Sequence, residues 1–392
     1  MDEVHCVCFN RFCAANFASS ERNRGGRYAT ADGMHEIDYE RTVFRGIDPK
    51  SSKAIITNHH IIRNSSMECD MCKRPVSVRI CPYCHSEIPP GAEESGNKIF
   101  VVLGPKGVGK SHYIGVLINR LSNTVANEFG AVFNPAGDST IDRYREIYGN
   151  PLFTAKRTLP STVPYDASED SREPLIYYLN MKSGDRQIVH TFAFIDTAGE
   201  DLEGTDRAAE TNLDNLIANA SGIVYLVDPL QIKYIRDRIH MDDLPPIRGS
   251  ASETLTMISN IIRGKREGLN PNARIDIPLA VALTKCDLLL KPAKNDEEDL
   301  IFLSPGSAVR IPRETGSFDK ENFDQIDAEI EEYLRRTAGE EFIQIVNGFA
   351  DHCYFAVSAL GNNPEGEELL RGVMPMRVED PFIWLLNRKG ME

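Results

Sequence analysis

The stretch Gly104-Pro105-Lys106-Gly107-Val108-Gly109-Lys110-Ser111 satisfies the Gly-x4-Gly-Lys-Ser pattern of a phosphate-binding loop at every fixed position. The chemistry behind that spacing is anion capture. Glycines let the backbone wrap a diphosphate with its amides pointing inward, and the start of a following helix adds partial positive charge. Lys110 is placed to reach the β- and γ-phosphates, and the Ser111 hydroxyl to ligate magnesium. Gly104, Gly107, Val108, Gly109, Lys110, Ser111 and His112 are therefore the expected nucleotide-binding stretch.

Three further clusters follow in order, each at the end of an apolar run. Phe194-Ile195-Asp196-Thr197-Ala198-Gly199-Glu200 offers Asp196 to a magnesium ion and the Gly199 amide to a γ-phosphate. Thr284-Lys285-Cys286-Asp287 offers a carboxylate that can accept from both N1–H and the exocyclic amine of guanine, a donor pair that adenine lacks. Lys285 can lay its stem over the base, while Cys286 is expected in the core. Ser358-Ala359-Leu360 would bring a backbone amide to guanine O6. Successive strand ends are where open α/β sheets place ligands, so the order points to GTP. Preference for ATP would defeat the use made of Asp287.

With these motifs residues 97–392 resemble a translation-factor-related, Ras-like P-loop GTPase. Arg377-Val378-Glu379-Asp380-Pro381-Phe382-Ile383-Trp384 is similar to the closing segment of the double-GTPase-like proteins of bacterial conflict operons, which join an N-terminal zinc ribbon to such a GTPase. The resemblance implies a magnesium-dependent GTP-hydrolysing switch that works with a protein effector in a defence or stress system. It also implies a threonine, between the first helix and second strand, whose hydroxyl reaches magnesium. Thr158 and Thr162 both qualify, and Thr162 is preferred as nearer the next strand.

Two departures bear on catalysis. Glu200 stands where Ras-like relatives carry the water-orienting glutamine; a carboxylate can accept a water proton but adds repulsion beside a polyanion, so intrinsic turnover is expected to be slow. Lys106 stands where those relatives prefer glycine. It either supplies positive charge near the γ-phosphate or points into solvent. The expected catalytic set is Lys110, Thr162, Glu200 and Lys106, and the magnesium set Ser111, Thr162 and Asp196. The same departures favour an alternative, a hydrolysis-deficient GTP-binding scaffold that docks proteins through its zinc module.

Cysteines carry the other chemistry. Seven of the nine lie at positions 6, 8, 13, 69, 72, 81 and 84. Cys69-x2-Cys72-x8-Cys81-x2-Cys84 has the spacing of two knuckles around one tetrahedral zinc. Four thiolates leave no open position, so the expected role is structural. His5, Cys6, Cys8 and Cys13, together with His59 or His60, could form a second site, but no complete ligand set is evident and a degenerate or absent second zinc is the expectation. An alternative pairs the opening residues with Cys69 and Cys72 and gives Cys81 and Cys84 a separate ion.

The elements that must hold these residues divide the chain into zones. Residues 1–66 are a polar segment that either stands apart from the zinc module or belongs to it; 67–90 read as the zinc ribbon, and 97–392 as the P-loop GTPase domain. From residue 97, apolar runs at Ile99–Leu103, Leu175–Asn180, Thr191–Ile195, Gly222–Val227, Leu279–Leu283 and Tyr354–Val357 read as strands. Helical patterns at Ser111–Leu121, Ala208–Ala220, Ser252–Arg263, Asp324–Phe349 and Pro381–Leu386 alternate with them. The implied fold class is α/β, a doubly wound, mostly parallel sheet, with insertions at 130–171, 229–250 and 291–323.

Composition narrows the partners. A formal charge of −14 over 392 residues leaves no basic excess for nucleic-acid backbones, so protein contact is expected instead. No apolar run approaches a membrane span, and Met1–Asn10 lacks a signal peptide's charged and apolar regions, so a cytoplasmic protein is expected.

Overall fold

The computed structural model describes residues 97–388 apart from 161–173, 184–185, 197–213, 240–243, 267–272 and 291–305. Before residue 97 it describes 5–7, 16–18, 27–30, 36–39, 42, 48–52, 54, 56–57, 59–62, 76–81 and 87–88. In that first part, β1 (His5–Val7) pairs antiparallel with β2 (Asn16–Ala18), and β4 (Glu36–Ile37) with β5 (Ile56–Thr57). A four-stranded sheet has the order β6 (His59–Ile62), β3 (Arg27–Thr30), β7 (Val76–Ile80), β8 (Glu87–Ile88).

The main sheet has seven strands. They are β9 (Asn97–Leu103), β10 (Val132–Pro135), β11 (Leu175–Ser183), β12 (Arg186–Asp196), β13 (Gly222–Val227), β14 (Leu279–Leu283) and β15 (His352–Ala356). Their spatial order is β10-β11-β12-β9-β13-β14-β15. The run from β12 to β15 is parallel, and β10 and β11 are antiparallel neighbours at one edge. Every residue of β13 and β14 is buried, as expected of parallel strands covered on both faces.

Alternation along each strand feeds two cores. Ile99, Val101, Leu103, Ile223, Tyr225 and Val227 face one side. They pack with α4 (Ala251–Lys265), α5 (Lys320–Thr337) and α6 (Glu340–Val346). Phe100, Val102, Val224 and Leu226 face the other side, against α1 (Lys110–Arg120) and α7 (Asp380–Leu386). Each fully buried Ile, Leu or Phe on these faces is worth about 1.5–3 kcal/mol relative to exposure. Helix starts follow local chemistry. Ser250 Oγ accepts from Glu253 N at the start of α4, and Asp319 accepts from Asn322 N at the start of α5.

Two element expectations change. The single helix expected over 324–349 is two, because Gly339 adopts φ 97° and its N–H turns back onto the Leu334 carbonyl. The insertion expected at 130–171 contributes an edge strand: β10 registers Val132 against Asn180 and Pro135 against Tyr177. A proline is tolerated there because an edge strand has one side without a partner. It is followed by α2 (Asp138–Tyr144) and a wide-turned helix, Arg145–Thr154, while α3 (Lys233–Arg236) follows the turn after β13.

The 377–384 segment anchors the fold. Arg120 pairs with Glu379 at 2.7 Å, and Arg313, from the 291–323 insertion, pairs with Glu128 at 2.8 Å and Asp380 at 3.5 Å. Arg377 Nε and Asp380 Oδ2 approach to 2.7 Å as a charge pair without hydrogen-bond alignment. Burial pushes the Asp380 carboxyl up to about 6, against the opposing pull of Arg377.

Candidate nucleotide-binding site

β9 runs straight into the loop. At Gly104 the backbone has φ 149°, and a Cβ there would stand 2.7 Å from the Leu226 carbonyl oxygen of β13, so no larger residue fits. Gly109, at φ 97°, is the N-cap of α1. The loop curls around its own lysine: buried Lys110 donates through Nζ to the Gly104 carbonyl at 2.9 Å and the Pro105 carbonyl at 3.1 Å. Lys106 is half-buried on the rim.

The ends of β13, β14 and β15 build the opposite wall. Thr284 donates from its N–H and its hydroxyl to the Val227 carbonyl, at 2.8 and 3.1 Å, which fixes the turn after β14 to β13. Lys285 is left-handed, with φ 51°, and its ammonium meets Asp228 Oδ2 at 2.7 Å. Asp228 is buried and also accepts from Leu230 N at 2.9 Å, closing the turn Pro229–Gln231. Asp287 Oδ1 accepts from Ser358 Oγ at 2.6 Å, and Ser358 Oγ accepts from Gly361 N at 2.9 Å. The expected base-binding carboxylate is thus oriented by the first residue of the next expected motif. Cys286 is fully buried as anticipated, and burial pushes its thiol well above the usual range.

These groups share one cavity of about 390 Å³, inside the roughly 300–1,000 Å³ span of ligand pockets. Gly107, Val108, Gly109 and His112 line it from the loop side, and Thr284, Lys285, Asp287, Ser358, Ala359 and Leu360 from the other. A larger, shallower depression of about 730 Å³ lies along α4, between Asp214, Ser252, Asn260, Lys265 and Glu341. The smaller cavity is the functional candidate, because only it joins inward-turned loop backbone to convergent polar groups.

Sequence reasoning missed several features of this wall. Leu230, Asn362, Asn363 and Pro364 also line the cavity, and no local pattern marks them; Thr158, the less preferred of the two candidate threonines, lines it as well. His112 acts through its ring: Nε2 accepts from Leu159 N at 3.0 Å. Burial, and secondarily the charge of Lys285, lower its pKa to about 4, so the ring is a neutral acceptor. The same segment is held from outside. Thr158 N donates to the Glu367 carbonyl at 2.8 Å, and Leu369 N to that of Lys156 at 2.7 Å.

Asp196 ends β12 opposite Val102 of β9, which sets its backbone beside the loop. Thr162, Gly199 and Glu200 lie outside the described residues, as do Cys69, Cys72 and Cys84. Cys81 is buried directly after β7. Among the described residues no group of three or more His, Cys, Asp or Glu side chains is gathered for a metal. No described helix is long and apolar enough to cross a membrane.

The geometry agrees with the chain's relatives. A family model described as Double-GTPase 2 matches residues 98–353, from the second residue of β9 into β15. A Mycolicibacterium smegmatis protein whose name assigns it to ESX-1 scaffolding and assembly, SaeC, is 31% identical over 325 residues. The match covers 80% of this chain and 81% of that protein. The chain belongs to the Double-GTPase 2 family of P-loop proteins.

Proposed function

We propose that this chain binds GTP and GDP in the cavity between the 104–111 loop and Asp287, and that it hydrolyses GTP slowly as a switch for a protein partner. The observation that carries the reading is the hydrogen bond from Ser358 to Asp287 within a cavity that also contains the loop glycines. It leaves the second carboxylate oxygen for the paired donors of guanine. Lys110 would leave its loop carbonyls for the β- and γ-phosphates.

The donor set suits magnesium. Ser111 and Thr162 hydroxyls and the Asp196 carboxylate are hard oxygen ligands, the kind that ion prefers. When bound, it would neutralise charge on the β- and γ-phosphate oxygens. Glu200 would accept a proton from attacking water, and Lys110 would stabilise charge on the phosphates. Cys69, Cys72, Cys81 and Cys84 are proposed to hold one structural zinc. The connection 81–86 between the antiparallel strands β7 and β8 contains Cys81 and Cys84, a setting that suits a knuckle.

The scaffolding role in the name of the M. smegmatis relative favours a second reading, a GTP-binding scaffold without turnover whose zinc segment docks proteins. The 377–384 segment, which suggested a defence setting, spends Arg377, Glu379 and Asp380 on the buried ion cluster and so speaks for the fold rather than for a pathway. Single-turnover hydrolysis of GTP with and without magnesium separates the readings. Magnesium-dependent phosphate release supports the switch. Tight GTP binding with no release, alone or with the partner, leaves the scaffold.

A further inference from the structure

Arg248 brings a cation to the loop from outside it. Its Nη1 and Cδ lie 3.7 and 3.8 Å from the point where a Cβ on Gly107 would stand, so the side chain extends over the loop's outer rim. The backbone that carries it is clamped. Gln231 Oε1 accepts from Arg248 N at 2.8 Å, while Gln231 Nε2 donates to the Pro246 carbonyl at 3.2 Å. Gln231 ends the turn directly after β13, whose Leu230 lines the cavity, and Ser250 caps α4 two residues beyond the arginine. The strap is therefore tied to the turn after β13 on one side and to the start of α4 on the other. Arg248 is exposed and makes no ion pair among the described residues, although the chain is strongly acidic.

We propose that Arg248 contacts the terminal phosphates of the bound nucleotide and stabilises the transition-state charge in cis. This rests on the reading of the cavity as a GTP site. In the step, the water oxygen forms a bond to the γ-phosphorus while the bond from that atom to the β–γ bridging oxygen breaks. The electron pair leaves with GDP, and the water proton passes to solvent. Arg248 donates N–H bonds to oxygens that gain charge.

The test compares the full-length chain with R248A and R248K, using single-turnover hydrolysis and the affinities of fluorescent GDP and a non-hydrolysable GTP analogue. R248A is expected to lower turnover at least about tenfold, in the direction of arginine-finger losses. It should also weaken the triphosphate analogue relative to GDP by about tenfold, and R248K should restore little because a lysine lacks the planar fork. If wild type shows no turnover, the affinity ratio alone decides. An unchanged rate and unchanged ratio in R248A, with wild type binding guanine nucleotides, overturns the role of Arg248 and leaves the site intact. Wild type that binds no guanine nucleotide overturns the site and this role together.

Discussion

In the proposed reading, nucleotide choice turns on Asp287. Its carboxylate is held by Ser358, which is in turn held by the Gly361 amide, so its direction is set before any base arrives. Asp287→Asn should weaken GTP binding about 10–100-fold, the cost of losing charge-assisted bonds of about 1.5–3 kcal/mol. It should raise relative affinity for xanthosine nucleotides, whose C2 carbonyl accepts from the new amide. Competition against fluorescent GDP measures both, and an unchanged ranking would mean that Asp287 does not face the base. Asp287 and Ser358 were legible as candidates because local patterns mark them, and the fold brings both to one cavity. The sequence was silent on Asn362 and Pro364, which meet the cavity only because distant segments are folded against it.

Elements position these residues through a few cross-links, and one of them runs through the titratable ring of His112. The first helix reaches segment 155–160 through its neutral ring, which accepts from Leu159 N. A base whose folded pKa is depressed to about 4 binds fewer protons than its unfolded form between that value and about 6.5. Stability contributed by the neutral ring is therefore present above pH 6.5 and lost as pH falls toward 4. His112→Gln keeps an acceptor and removes the titration. Urea denaturation at pH 7 and pH 4.5 should show a smaller acid loss for the variant than for wild type; equal losses would disconnect the ring from Leu159. Strands β13 and β14 were legible to the residue because continuous apolar runs have few alternatives. Edge strand β10 was not, since a four-residue run ending in proline carries little pattern. The break at Gly339 was likewise hidden, because apolar spacing continues on both sides of it.

At the scale of the whole molecule, the acidic charge of −14 is compatible with a polyanionic ligand because cationic groups concentrate at the loop: Lys106, Lys110 and the arginine at 248. In the proposed reading the cysteine pattern holds a separate structural zinc. Protein as purified should contain about one zinc per chain, lost in a Cys69→Ser/Cys81→Ser double variant; metal analysis showing no zinc in wild type would remove that centre. The most direct measurement of the central claim is equilibrium competition of GTP, GDP and ATP for the full-length chain in magnesium. The account predicts that GTP and GDP displace a fluorescent guanine nucleotide at least about a hundredfold more effectively than ATP, a difference of about 2.7 kcal/mol. Equal or better displacement by ATP would contradict it.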